Sequence, residues 1–296
     1  MAFVDGAVVA LADARVPVSD RGFLWGDHAF EIVRAAGGRP CDGDAHLDRL
    51  AASLALLRMP ALDRATCARA LAATLAAADL ADASARIVVT RGDQPGLAPR
   101  ADARPRLVIV VEPLAPAPTS AGVRLHTLAG HRGGLVPAEA KTGNYLGSVL
   151  ALAAAGDAGA DDALLCDGDR VLETATASLL IVAAGEVIEP VGPRLPGVTS
   201  ARVRALLEAR GRRTRAAPVR HAEAAAADEL LVTSARRGVA AVVALDGVAR
   251  RPGPVAAEAI AAYDAWIETI RDGQAIDHDR GHDRAGPPAS RNGPGL

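Results

Sequence analysis

The chain has 296 residues, half of them apolar and 23% charged, with a formal net charge of −2. This composition excludes a disordered chain, and the interspersed Arg and acidic residues exclude the basic footprint of a nucleic-acid binder. No apolar run approaches the roughly 18 residues of a membrane span and no signal peptide is visible, so a cytoplasmic protein is expected, with no membrane or nucleic-acid partner.

In chain order, Asp5-Gly6 supplies the positive-φ pair of a type I′ turn between two apolar runs and predicts a hairpin. A second hairpin strand, residues 30–35, turns at Gly37-Gly38. Between them residues 19–31 read as a Gly-flanked loop. It holds two of the three phenylalanines and Trp25, one of two tryptophans, which suggests a pocket wall. Leu47, Leu50, Leu54 and Leu57 then recur at helical spacing up to Pro60, with Arg49 on what spacing alone reads as a solvated face. A second helix covers about 67–80. Strands at 87–90 and 107–111 are joined by a polar loop carrying Arg91, Arg100 and Asp102. Cys41, Cys67 and Cys166 are too scattered for a zinc or redox motif, and read as buried thiols in a reducing compartment with no metal site.

Residues 113–120 hold three prolines within six positions, which suits neither a helix interior nor a central strand. They predict domains over 1–115 and 121–272, with a linker at 116–120. Beyond it come a strand at 123–128, a helix at about 146–155, and a turn at Asp167-Gly168 that delivers Glu173 at a strand end. A hairpin at 179–188 follows. Leu195-Pro196-Gly197-Val198-Thr199-Ser200 precedes a helix over 201–209, and such a helix N-terminus is the physical form of a phosphate site. Strands at 230–232 and 239–243 follow, with Thr233-Ser234 emerging between them, and then a helix at about 255–270. Residues 273–296 carry no apolar periodicity and are expected to be a disordered tail.

Lys141 is the only lysine in a chain with 33 Lys plus Arg, Asn144 is one of two asparagines, and Tyr145 one of two tyrosines. Arginine can replace lysine for charge and phosphate contact, but it cannot readily lose its proton and act as an amine nucleophile. The retained lysine therefore points to amine chemistry, most economically a Schiff base. Pyridoxal phosphate would need a phosphate cradle, a partner for its pyridine nitrogen and a group near its ring oxygen. Val198, Thr199 and Arg49 could supply the first, Glu173 the second and Tyr145 the third.

These stretches occur in an order that resembles the class IV aminotransferases, the fold-type IV pyridoxal phosphate enzymes. Residues 20–31 are similar to that family's DRGFLYGDGVFE segment, and residues 46–50 to its HLxRL. Lys141 with Asn144-Tyr145-Leu146 resembles KxxNYL, and Leu195-Pro196-Gly197-Val198-Thr199 resembles LPGIT. The resemblance spans nearly all of residues 1–270. It implies an α+β fold with a small N-terminal α/β domain and a larger C-terminal β-barrel-like domain with helices. It also implies a homodimer, with an amino donor and an oxo-acid acceptor as substrates.

By the same resemblance Lys141 carries the cofactor and moves the substrate proton. Arg49, Val198, Thr199, Thr233 and Ser234 bind the phosphate, and Glu173 binds the pyridinium. Trp25 and His28 depart from the family's residues and make the pocket wall bulkier. The family's EGSxxN becomes Glu173-Thr174-Ala175-Thr176-Ala177-Ser178. Arg91 and Arg100 are expected in the substrate pocket; residues 98–102 bear a faint likeness to the carboxylate-binding Arg-x-His loop of D-amino acid aminotransferases, with Asp102 in place of the histidine, whereas residues 233–239 look closer to the TNSLRGV of aminodeoxychorismate lyases. The expected activity is transamination between an amino acid and a 2-oxo acid. Alternatives are 4-amino-4-deoxychorismate lyase and a cofactor-binding protein that does not turn over.

Overall fold

In the computed structural model, which describes residues 1–100, 102–114, 122–131 and 134–273, Asp5 and Gly6 take φ of 47° and 97°. They turn β1 (Ala2–Val4) into β2 (Ala7–Val9). The expected loop over 19–31 instead contains a helix, α1 (Arg21–Trp25). Asp20 caps it by accepting the Gly22 N–H at 2.7 Å, and Gly26 ends it at φ 67°. β3 (His28–Ala36) follows at once and turns through Gly37-Gly38 into β4 (Arg39–Pro40). Two helices, α2 (Gly43–Leu56) and α3 (Arg64–Ala78), lead to β5 (Asp82–Thr90) and β6 (Arg106–Pro113).

These strands form one antiparallel sheet in the order β2-β1-β6-β5-β3-β4. Side chains alternate across a strand, so one face of β3 and β5 buries Val33, Ala35, Ala85, Ile87 and Val89 beneath the leucines of α2 and α3. Glu31 lies on that same helix-covered face. The opposite face carries Phe30, Ile32 and Arg86 away from the helices, with Ile32 directly across from Arg86.

The second sheet is built from β7 (Val123–Ala129), then after α4 (Leu146–Asp157) from β8 (Asp162–Asp167), β9 (Arg170–Thr174), β10 (Ser178–Ala183) and β11 (Glu186–Pro190). It continues through α5 (Val198–Glu208), β12 (Thr214–Ala217), α6 (His221–Ala226), β13 (Glu229–Ser234), β14 (Gly238–Leu245) and β15 (Val248–Ala249), and ends in α7 (Pro254–Arg271). The strand order is β12-β11-β10-β13-β14-β7-β8-β9, with β15 beside β14.

This sheet curls until its two edges meet. Val171 on β9 donates its N–H to the Val219 carbonyl at 2.9 Å, and Arg170 bridges Arg220, just past the other edge. Closure encloses Leu125, Leu164, Val171, Leu179, Ile181 and Leu230 as an interior core. Leu180, Val182 and Leu231 point outward and are covered by Val203 and Leu207 of α5 and by Ala259 and Trp266 of α7. Strands buried on both faces read as unbroken apolar runs, which is why β10 and β13 show no alternation in the sequence.

β12 and α6 have no apolar run and were not expected. The predicted linker at 116–120 and the tail over 274–296 lie outside the described residues. Among the described residues no helix is long and apolar enough to cross a membrane.

Candidate active site

The lysine segment is bridged to the first sheet beside β3 through Ala29 and Thr142. Phe30 N–H donates to the Lys141 carbonyl at 2.9 Å, and Gly143 N–H donates to the His28 carbonyl at 3.1 Å. The Lys141 N–H donates to Ser53 Oγ at 3.0 Å. Gly143 is required by this approach, since a Cβ there would stand 1.9 Å from His28 Cε1. With its backbone clamped, Lys141 sends Nζ to Tyr145 Oη at 3.0 Å and over the Phe30 ring at 4.6 Å from its centroid.

Nζ opens into a cavity of about 420 Å³ between the two sheets. At one end Glu173 leaves β9 with only 3% of its surface exposed, and its Oε1 accepts the Leu195 N–H at 3.3 Å. The turn after it carries no glycine or asparagine. It is held instead by Asp162, fully buried, whose Oδ2 accepts Thr174 Oγ1 at 2.9 Å and Thr176 Oγ1 at 2.6 Å. Asp162 was not foreseen from the sequence; its only signal was an acid opening an otherwise apolar strand.

At another part of the cavity Gly197 caps α5 without any side-chain hydrogen bond, so the first N–H groups of that helix, including those of Val198 and Thr199, have no intrahelical acceptor. A Cβ at Gly197 would meet Ser178 Oγ at 2.3 Å, so only glycine lets the turn approach this closely. Thr233, on the same cavity wall beside Ser234, has a buried Oγ1 with no partner among the described residues.

Arg49 also lines this wall. It is not a solvated helix residue: its Nε and Nη2 donate to the two oxygens of Glu31 at 2.8 and 2.7 Å, and its Nη1 donates to the Pro196 carbonyl at 2.7 Å. His46 Nδ1 adds a third contact to Glu31 at 2.8 Å. Burial would raise the Glu31 pKa, but the Arg49 and then the His46 hydrogen bonds outweigh it and hold the carboxyl at about 2.

Four sequence expectations fall elsewhere in this chain. Trp25 is 39% exposed on α1, beneath the Arg21 guanidinium. His28 packs on Gly143 below the lysine segment, and burial lowers its pKa. Arg91 is buried and committed to Asp27 at 2.8 and 3.1 Å and to the carbonyls of Leu57 and Arg58. Arg100 is exposed and held by Asp102. Besides Arg49, the arginines that line the cavity are Arg86, whose guanidinium lies 4.7 Å from the Phe30 ring centroid, and Arg236 and Arg237 of the β13–β14 turn. The signal for Arg86 was its place in the alternation of β5, a lone cation opposite the core face.

Residues 28–245 match the family model for amino-transferase class IV. A provisionally named branched-chain-amino-acid aminotransferase of Methanocaldococcus jannaschii is 32% identical over 256 residues, spanning 83% of this chain and 88% of its own length. A D-alanine aminotransferase of Listeria monocytogenes is 28% identical, spanning 90% of this chain and 95% of its own. The solved structure of 4-amino-4-deoxychorismate lyase from Pseudomonas aeruginosa superimposes with a TM-score of 0.78 at 32% identity, covering 93% of this chain and 99% of that one.

Proposed function

The chain belongs to the class IV aminotransferase family, and from that premise we propose that it binds pyridoxal phosphate in this cavity and transfers an amino group from an amino acid to a 2-oxo acid. The observation that carries the proposal is one buried amine facing a cavity that has a buried carboxylate at one part and unfilled anion donors at another.

The residues suit the cofactor. The N–H groups of Val198 and Thr199, the guanidinium of Arg49, and the hydroxyls of Thr233 and Ser234 would hold its phosphate. Glu173 would take the pyridine nitrogen and keep a proton there, and Tyr145 would donate to the ring oxygen. The bound cofactor supplies an electron sink for the pair left when the substrate's Cα–H bond breaks. Lys141 would hold the cofactor through its amine and would serve as the base that takes and returns the substrate's Cα proton. Tyr145, 3.0 Å from Nζ, keeps that amine aimed into the cavity. Arg86 and Arg236 would receive substrate carboxylate. Cofactor titration and a panel of D- and L-amino donors followed by absorbance test the reading. Lys141→Ala should lower turnover by at least ~10²–10⁴-fold, and near-normal rates without added amines would sink it.

A second reading is a lyase that releases pyruvate, favoured by the 32% identity to the Pseudomonas aeruginosa lyase over nearly the whole chain. Pyruvate formed from aminodeoxychorismate with no oxo-acid acceptor present would select it. We propose a homodimer as well, since Leu146, Val149 and Leu150 expose an apolar stripe on α4, with Phe23 and Leu24 also exposed. The three free, buried thiols support a reducing, cytoplasmic setting. The predicted domains, 1–115 and 121–272, correspond in this reading to the two sheets with their helices.

A further inference from the structure

We propose that Glu31 is the positioning residue of the anion-binding wall: it decides which donors of Arg49 are left for a phosphate and, through Arg49, ties the first sheet to the turn that opens α5. The inference rests on the cofactor reading above.

A guanidinium has five N–H donors and no acceptor. In Arg49 the Nε donor and one on Nη2 go to Glu31, and one on Nη1 goes to the Pro196 carbonyl. Two donors remain, one on each terminal nitrogen, and this is the fork that matches two oxygens of a phosphate. Arg49 lines the cavity whereas Glu31 does not, so Glu31 acts from behind the wall. Its placement follows from the period of β3: Phe30 and Ile32 face the cavity and Glu31 faces α2, where His46 and Arg49, three residues apart, share one helix face.

The carboxylate is fully buried and its Oε2 is shared between Arg49 Nη2 and His46 Nδ1. Rotating Arg49 away would leave that charge without its main partner inside the protein, so the guanidinium is locked in one orientation before any ligand arrives. The third bond extends the lock: Pro196 immediately precedes the glycine whose approach presents the Val198 and Thr199 amides. Glu31, Arg49 and Pro196 thus form a strut from the first sheet to the helix N-terminus.

Glu31→Gln keeps the shape but replaces one acceptor oxygen with a donor that faces Arg49. The test compares cofactor-free wild type and Glu31→Gln in two titrations, pyridoxal phosphate followed by absorbance and inorganic phosphate followed by unfolding temperature. The expected result is a cofactor Kd raised by on the order of tenfold, together with a smaller stabilisation by inorganic phosphate. A purely structural role would lower the unfolding temperature without moving either affinity, and unchanged affinities overturn the proposal. If Glu31→Gln does not fold, His46→Gln must weaken both affinities in the same direction by a smaller factor; unchanged affinities there overturn it equally. Wild type that binds neither ligand would instead sink the cofactor reading itself.

Discussion

Arg86 and Arg91 differ by five positions and by everything that decides a role. Arg91 is enclosed, and four of its five donors are given to Asp27 and to two carbonyls. Arg86 stands on the cavity face of β5 over Phe30. Arg86→Leu is expected to raise KM for the amino and oxo acids by ~10-fold or more while the cofactor Kd stays put. Equal KM values for wild type and variant would remove Arg86 from substrate binding. At this scale rarity was a good guide: one lysine in 296 residues marked the segment that reaches the cavity. Burial created by tertiary contact was invisible. Arg49 reads as solvated because helical spacing cannot report a carboxylate arriving from β3, and Arg86 is marked by strand alternation rather than by rarity.

Among the elements, apolar runs identified β10 and β13 because their burial is written in consecutive residues, whereas α7 buries Val255, Ala259, Ala262, Tyr263 and Trp266 at helical spacing. α1 escaped because five residues are too few for periodicity, although its two punctuating residues, Asp20 and Gly26, were present. The β-barrel-like domain implied by the family resemblance is present, although its closure rests on main-chain bonds at Val219 and Arg220 that no side-chain pattern announces. The packing of the lysine segment on β3 gives a double test. Gly143→Ala should destabilise the protein by ~1–3 kcal/mol and weaken cofactor binding, because its Cβ would overlap the His28 ring. His28→Ala in the same chain should restore most of both losses. Equal damage with and without His28 would show that the contact does not hold the segment.

For the whole molecule, the apolar stripe on α4 is a demand that a single chain leaves unmet. Leu146, Val149 and Leu150 are 70%, 56% and 62% exposed, at helical spacing on one face. Leu146→Glu combined with Leu150→Glu should convert the dimer to a monomer in sedimentation velocity. Wild type that sediments as a monomer at every concentration tested would dismiss the dimer.

The lysine segment also bears on how the protein comes into being. Its backbone is bonded to residues 28, 30 and 53, while the wall across the cavity is drawn from residues as late as 233–237. During synthesis, therefore, the residues that clamp the lysine segment emerge long before those of the opposite wall. A nascent chain halted before β13 would hold the lysine without the Thr233 and Ser234 hydroxyls, so in the proposed reading cofactor loading waits for the last part of the chain.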